Sequence, residues 1–171
     1  MHMNGIWKTA AAGIVAVAML APGCMMAQTS GTVLKAAEVQ KLVPSTVFYH
    51  GQSAPTQLRN AAGVKFTDGY YVLAALVDTS GYSTGVQAKY QAYFIAEVPL
   101  KVGGESLPAG VYGAGFVGEQ FVITDVGGHD ALTVSSGDDA GLKRPLPLQF
   151  VADPAGGFRL YIGRKYVVFS R

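Results

Sequence analysis

Residues 103–125 read GGESLPAGVYGAGFVGEQFVITD, and this stretch predicts a β-hairpin with a tight reversal on each side. The glycines at 103–104 permit the positive φ angles that a sharp turn needs. Residues 111–117 then predict a strand whose side chains alternate between two faces. A second turn at 118–119 sends the chain back along 120–125. The stretch therefore indicates an antiparallel sheet.

Three residues inside this stretch refine the prediction. Pro108 has no amide hydrogen to donate, which favours the start or edge of a strand over a central position. Gly113 and Gly115 lie within the predicted strand, where two missing side chains indicate either a bulge or a close approach of another backbone. The hairpin is thus expected to pack tightly against a neighbouring segment.

The string LPAGVY at residues 107–112 follows the Gly-Gly turn. It resembles a stretch found in small β domains of unknown function from secreted bacterial proteins, and the resemblance covers residues 103–117. This resemblance implies a β-sandwich-like module. It carries no catalytic residue over to this chain.

Composition favours the same class of fold. Charged residues make up only 14 % of the 171 residues, against about 25 % in ordinary soluble domains, and 22 residues are glycine. Few charges and many glycines favour short strands and tight turns over long solvated helices. Of the 13 basic residues, 12 follow Lys8, against 11 acidic residues. This near balance gives no driving force for general nucleic-acid binding, so we expect no nucleic-acid partner.

The N-terminus has the pattern of a secretory signal peptide. Lys8 is the only charged residue before Lys35, and residues 9–21 form an almost unbroken apolar run followed by small residues. The run is shorter than the ~20 apolar residues of a membrane span. We therefore predict a cleaved leader at 1–27, a single β-rich domain at 28–171, and export to the periplasm or the extracellular space.

Cys24 leaves two alternatives open for the leader. Ala21 and Gly23 precede Cys24 as they would precede the acylated cysteine of a lipoprotein, whereas Ala27 offers a later cleavage site that would remove the cysteine. Cys24 is the only cysteine, so in the second case the mature chain contains no disulfide. Membrane association is expected only through the signal or a lipid anchor.

After the leader the pattern changes from helical to β periodicity. A short helix is predicted at 33–42, capped by Thr32 and ended before Pro44. The next strands are predicted at 46–49, at 57–59 paired with 64–67, at 70–78 after an Asp-Gly hairpin turn at 68–69, and at 88–98. Residues 70–78 are apolar on both faces, which predicts a central strand covered on both sides.

The remaining chain continues the series. Loops are predicted at 50–55, 79–85, 126–130 and 136–141, with further strands at 131–135, 148–151, 158–162 and 165–170, the last three as a meander. The total is about ten strands with turns every ~8–12 residues. The fold class predicted is all-β and antiparallel, with a sandwich and a closed barrel as alternatives.

Two loop residues are the candidate ligand-binding residues. Tyr82 stands in a polar loop, where an exposed ring can stack on a sugar or a protein partner unless it folds back onto the sheet. His129 stands near Asp125 and Asp130 in a glycine-rich loop. We predict no metal site and no cofactor, since no EF-hand spacing is present, and no catalytic residue, since no serine lies in a nucleophile-elbow pattern.

The C-terminal portion is basic. Arg159 and Lys165 are expected to face each other across the final hairpin. Such a cationic strip favours either contact with anionic envelope polymers or protection of a sheet edge from aggregation. The cations concerned are Lys143, Arg144, Arg159, Arg164, Lys165 and Arg171.

Three functional hypotheses follow. The first is a secreted or envelope-associated, non-enzymatic β domain that binds or supports a partner or small ligand of unknown identity. The second is a small barrel that carries an apolar ligand in an interior lined by Leu73, Tyr90, Phe94 and Phe116. The third is a periplasmic hydrolase.

Overall fold

The computed structural model describes residues 30–49 and 51–171, which form fourteen β-strands and two short α-helices. The predicted leader with Cys24, and His50 in a predicted loop, lie outside the described residues. The helices are α1 (Ala36–Val39) and α2 (Thr84–Lys89). The strands are β1 (Gly31–Val33), β2 (Thr46–Tyr49), β3 (Gln52–Phe66), β4 (Tyr71–Val77), β5 (Ala92–Ala96), β6 (Leu100–Val102), β7 (Glu105–Leu107), β8 (Gly110–Val117), β9 (Gln120–Thr124), β10 (Asp130–Ser135), β11 (Gly137–Asp138), β12 (Gln149–Ala152), β13 (Phe158–Ile162) and β14 (Lys165–Ser170).

The strands form two antiparallel sheets. The large sheet has eight strands in the order β1-β3-β4-β5-β8-β9-β10, with β2 also paired to β3. The small sheet has six strands in the order β12-β13-β14-β6-β7, with β11 also paired to β14. The all-β, antiparallel, sandwich-like prediction is therefore confirmed. The described residues do not close into a barrel, and the predicted number of about ten strands was too low.

The main core lies between the two sheets and is built from side chains of both. Aromatic rings join the layers: Phe94 of β5 meets Phe169 of β14 with ring centroids 6.4 Å apart. Phe66 of β3 likewise meets Phe158 of β13 at 6.2 Å. All four rings are buried, and edge-to-face contacts at these distances add to the stabilisation from apolar burial.

Three times the chain passes from one sheet to the other within one to three residues. β5 of the large sheet leads into β6 of the small sheet, β7 leads back into β8, and β10 leads into β11. Such corners are typical of sandwiches whose strands switch sheets at bends. Pro108 lies in the corner between β7 and β8, outside both strands, as its missing amide hydrogen predicts.

Strand β4 is covered on both faces, as predicted. Val72 and Ala74 point into the core between the sheets, whereas Leu73 and Ala75 pack on the opposite face in a cluster with Val39 of α1. Because successive side chains alternate, a strand buried on both faces must be apolar throughout. The helix α1 thus seals one part of the outer face of the large sheet.

The helical predictions needed two corrections. Thr32 lies in β1 and does not cap a helix; α1 is shorter than the predicted 33–42 and begins after Lys35, whose backbone amide donates to Glu38 Oε2 at 2.9 Å. The predicted loop at 79–85 and the start of the predicted strand at 88–98 instead contain α2. Within the described ranges, no helix has the length and apolar character needed to cross a membrane.

The region 52–66 was also predicted incorrectly. Instead of a loop followed by two short paired strands, it forms the single strand β3, which pairs with β1, β2 and β4. The register against β4 shifts between Gln57 and Ala61, so a bulge takes up the residues that suggested a turn. The hairpin predicted at 68–69 is present, with Gly69 at φ 95°.

The hairpin of residues 111–125 and the C-terminal meander were predicted correctly, whereas the short strands β6 and β7 on either side of the predicted turn at 103–104 were not predicted. β8 pairs with β9 from Gly113↔Thr124 to Val117↔Gln120, and β12, β13 and β14 pair in sequence. Gly113 and Gly115 make the close approach that was one of the two alternatives. A side chain at Gly115 would overlap the carbonyl oxygen of Ala88 in α2, and one at Gly113 would overlap the ring of Tyr90.

Candidate functional site

Tyr82 lies in the turn before α2 and is half-buried. Its hydroxyl donates a hydrogen bond to the carbonyl oxygen of Ser53 at 3.1 Å, and its ring packs against the cluster that contains Val77 and Tyr90. The next residue, Ser83, caps α2 by accepting from the amide of Val86. Tyr82 therefore folds back onto the sheet, and ligand binding through it stays a prediction.

Tyr90 anchors the same cluster from the end of α2. Its side chain is buried, and its ring centroid lies 4.5 Å from that of Tyr49. Its hydroxyl has no hydrogen-bond partner among the described residues. Burial, followed by the neighbouring tyrosines, raises the pKa of Tyr90 far above its ordinary value. Tyr90 therefore stays neutral and serves as packing beneath α2.

His129 is highly exposed and pairs with a neighbouring carboxylate. Its Nδ1 lies 3.2 Å from Asp125 Oδ2, while Asp125 Oδ1 accepts from the amides of Gly127 and His129 at 2.9 Å each. These backbone bonds, with the His129 ring, lower the pKa of Asp125. A base oriented in this way still needs a nucleophile, and no described hydroxyl group lies within hydrogen-bond distance of the His129 ring.

The helix α2 separates the two predicted ligand-binding residues. Tyr82 precedes the helix, whereas Lys89 at its end pairs with Asp130 at 2.7 Å, next to His129. Six residues of helix rise by about 9 Å. The structure therefore places Tyr82 and His129 at opposite ends of α2 and, within the described residues, does not bring them into contact.

Two of the six cations of the predicted strip form ion pairs within the chain, and two more bind carbonyl groups. Arg159 lies opposite Val168 and Lys165 lies opposite Ile162, so the expected facing pair of Arg159 and Lys165 was wrong. In the described chain, Lys143 and Arg144 are exposed and have no ion-pair partner. The other four cations bind Asp153 (Arg159), the carbonyl groups of 139, 140 and 142 (Arg164), the carbonyl group of Gly118 (Lys165) and Asp68 (Arg171).

The four residues expected to line a ligand-carrying interior do not share one. Phe94 and Phe116 belong to the core between the sheets, Leu73 packs beneath α1, and Tyr90 packs beneath α2. All four side chains are buried. That predicted lining was therefore wrong, because the central strands carry apolar side chains on both faces into separate packed clusters.

A recess that local sequence did not indicate lies where β9, the β10–β11 corner and β14 meet; we call it the polar hollow. Its volume is about 530 Å³. It opens to solvent beside the turn between β8 and β9. The residues that line it are Glu119, Gln120, Ser135, Ser136, Gly137, Asp138 and Lys165.

Backbone and side-chain hydrogen bonds hold the walls of the polar hollow together. The amide of Ser136 donates to the carbonyl oxygen of Glu119 at 2.9 Å, which ties the corner to the turn. Lys165 donates from Nζ to the carbonyl oxygen of Gly118. Gly137 lies against the ring of Tyr166, which any Cβ at this position would overlap. The hollow is therefore held by three segments that are far apart in sequence.

The polar hollow offers several unused hydrogen-bonding groups. The side chains of Glu119, Gln120, Ser135, Ser136 and Asp138 make no hydrogen bond or ion pair within the described chain. Two carboxylates face one ammonium, so the lining carries a net negative charge. Hydroxyl, amide and carboxylate groups arranged around one recess can accept several donors from a single ligand.

The chain has no significant match to any protein-family model, any curated protein or any solved structure. The resemblance of residues 103–117 to secreted β domains therefore stays a prediction. Within the described residues, no group of three or more His, Cys, Asp or Glu side chains is placed to hold a metal ion.

Proposed function

We propose that this protein is an exported, non-enzymatic β domain that binds a polar ligand in the polar hollow. One observation carries the proposal: five polar side chains without partners in the described chain surround a recess of about 530 Å³. That volume falls within the roughly 300–1,000 Å³ of small-molecule sites. The backbone that carries these groups is paired within β9, β10, β11 and β14, so binding requires no folding of the main chain, which limits the entropy lost on binding.

The chemistry of the lining favours a ligand with several hydroxyl groups and an amine. Glu119 and Asp138 accept hydrogen bonds strongly from a cationic donor, whereas Ser135 and Ser136 both donate and accept. The net negative charge of the lining disfavours anions. An amino sugar meets these requirements, either free or exposed on an envelope polymer.

Export is the part of the proposal that depends on residues 1–27. A leader that ends after Ala27 would be removed, whereas cleavage before Cys24 would leave an acylated cysteine. Intact-mass measurement of protein recovered from the periplasm and from the membrane fraction distinguishes these outcomes. A full-length, unprocessed chain in the cytoplasm would contradict export while leaving the ligand-binding proposal intact.

Binding is tested by titrating the ¹⁵N-labelled protein with glucosamine and, in parallel, with glucose. We expect glucosamine to shift the amides of residues 119–120 and 135–138 in a saturable way, and glucose to bind more weakly. Asp138→Asn and Glu119→Gln should each weaken glucosamine binding by about tenfold, the usual value of one charge-assisted hydrogen bond.

Glu105→Gln is the matched control. Glu105 is an exposed carboxylate on β7 that does not line the polar hollow. Its loss should leave the affinity for glucosamine unchanged. The proposal fails if these amides do not respond to either sugar, or if Glu105→Gln weakens binding as much as Glu119→Gln does.

The hydrolase hypothesis has one supporting observation, the pair formed by His129 and Asp125. A general base oriented by a carboxylate is part of many hydrolytic sites. Ester and glycoside turnover by the wild type and by His129→Ala tests it directly. Equal background rates in both proteins would end that hypothesis for His129.

A further inference from the structure

A second recess, the apolar groove, lies at the seam where the edge of the large sheet meets β12. It has a volume of about 270 Å³ and shares no lining residue with the polar hollow. It begins beside β1 and the start of α1, and it runs past the bulge of β3. Its lining residues are Val33, Leu34, Ala36, Arg59, Asn60, Ala61, Ala62, Leu146, Pro147, Leu148, Gln149 and Phe150.

The walls of the apolar groove are hydrophobic side chains that are partly open to water. Leu146 is 52 % exposed and Val33 is 39 % exposed, although most apolar side chains of this size in the described chain are buried. Leu148 and Phe150 continue the wall inward to the main core. An apolar chain placed here would remove exposed hydrophobic surface from water.

Gln149, at the edge of the apolar groove, has a buried side-chain amide with an unused donor. Nε2 of Gln149 is shielded from solvent and has no hydrogen-bond partner in the described chain. A buried donor without an acceptor is costly, and such groups in native proteins call for an explanation. Leu148 and Phe150 on either side of it face the core, so the Gln149 side chain lies on the outer face of β12, and the polar contact in the groove is left to Arg59.

Arg59 is the only charged residue among those that line the apolar groove. It projects from the bulge of β3, is exposed, and forms no ion pair within the described residues. The other polar lining residue of that bulge, Asn60, is already bonded to Gln57 at 2.8 Å. Because a guanidinium donates two parallel hydrogen bonds to a carboxylate, Arg59 is matched to an anionic head group.

We propose that the apolar groove binds an amphiphile with a carboxylate head and a short, unbranched apolar tail. The guanidinium of Arg59 binds both carboxylate oxygens, and the tail lies between Leu146 and Val33. The volume of about 270 Å³ lies just below the roughly 300–1,000 Å³ of small-molecule sites, which favours a medium-chain fatty acid over a long-chain lipid. This site is independent of the proposed function of the polar hollow.

The test is calorimetric titration of the purified protein with decanoate, below its micelle concentration, and with decanol. We expect decanoate to bind saturably and at least tenfold more tightly than decanol, which lacks the anion. Hexanoate and palmitate should both bind more weakly than decanoate. Equal binding of decanoate and decanol would overturn the proposed role of the head group.

Arg59→Gln should weaken decanoate binding by about tenfold and leave decanol binding unchanged. Arg144→Gln is the matched control, because Arg144 is also exposed and without an ion-pair partner in the described chain but does not line the groove. Loss of binding in both variants would point to a general charge effect and contradict the site.

A measurement on the wild type does not depend on the folding of any variant. Saturation with decanoate should shift the backbone amides of Ala61 and Leu146, which line the groove, while the amides of the polar hollow stay in place. Shifts confined to the polar hollow, or none at all, would overturn the proposal. Sedimentation showing a dimer that Leu146→Ser dissociates would also overturn it, because a second copy would then cover the groove.

Discussion

The outer faces of the two sheets are covered in different ways. On the large sheet, two short helices lie over apolar side chains: Val39 of α1 belongs to one cluster, and Val86 of α2 packs against another. On the small sheet, the turn at 139–142 is attached by polar contacts. Tyr161 donates to Asp139 at 3.2 Å, and Arg164 donates to carbonyl groups of the turn.

Charge also fixes the loop that precedes β13. The side chain of Asp153 is only 4 % exposed, pairs with Arg159, and accepts from the amide of Ala155 at 2.7 Å. The guanidinium of Arg159 lies over the ring of Tyr166 at 4.6 Å. Removing one partner of such a pair leaves the other partner desolvated and unpaired. The segments that cover the small sheet are therefore held by ionic and polar contacts, whereas those that cover the large sheet are held by apolar packing. The two coverings should therefore respond to different perturbations.

The largest effect is expected from filling the contact between β8 and α2. Gly115→Ala places a methyl group against the backbone carbonyl groups of Ala88 and Lys89, which cannot move without shifting the helix. We expect a loss of about 3 kcal/mol in the free energy of unfolding, measured by urea denaturation.

Gly85→Ala is the matched control for this contact. A side chain at Gly85, within α2, would meet no neighbouring atom. It should stabilise the protein by about 0.5–1 kcal/mol, because alanine is the better helix former. If both substitutions changed stability equally, the tight approach of the helix to β8 would be disproved.

A smaller effect is expected on the small sheet. Asp153→Asn removes the charge that pairs with Arg159 and should cost about 2 kcal/mol of unfolding free energy. Asp130→Asn breaks the half-exposed pair with Lys89 and should cost less than about 1 kcal/mol. Equal losses in the two variants would contradict the contrast between a buried and an exposed ion pair.

Acid should weaken the polar contacts that cover the small sheet and leave the apolar packing under the helices of the large sheet unchanged. Burial alone would raise the pKa of Asp153, but the hydrogen bonds from Arg159 and Ala155 outweigh it and lower the pKa below 3.8. The stabilisation is therefore complete above the pKa of the unfolded chain and is lost as the pH falls through the lowered value.

The pH effect is measured as the stability difference between the wild type and Asp153→Asn. We expect it to stay constant near neutral pH and to shrink as the pH falls below 3.8. Urea midpoints at a series of pH values give this difference. A difference that grew on acidification would show that Asp153 does not contribute as a paired carboxylate.

The parts of the fold that local sequence predicted correctly depend on nearby residues. The turns at 68–69 and 118–119 join predicted strands that pair directly across them, so turn chemistry was sufficient there. The turn at 103–104 was also predicted, but the short strands β6 and β7 that it joins were not. β3 was missed because its continuity depends on pairing with three other strands. The helix α2 was missed although Ser83 is a helix-capping residue, since glycine and the polar composition around it suggested a loop.

The candidate sites were less predictable than the fold. Lys165 reaches Gly118 across 47 residues, and no local pattern indicates that the two segments meet. The apolar groove likewise joins β1, the bulge of β3 and β12. Tyr82 and His129 were selected because they stand in polar loops. Polar composition predicts that a loop is exposed, but it does not predict which loops lie next to each other.

The corners at which strands pass from one sheet to the other also determine how the protein unfolds. Short connections join β5 to β6, β7 to β8 and β10 to β11, so each sheet is covalently linked to the other at three corners. Separating the sheets would therefore pull strands out of both and break hydrogen bonds in both. The sandwich should therefore melt in a single step, with its slowest amide exchange spread over both layers. Proteolytic cleavage at residues 97–99 would break the connection between β5 and β6 and leave two covalent connections between the sheets.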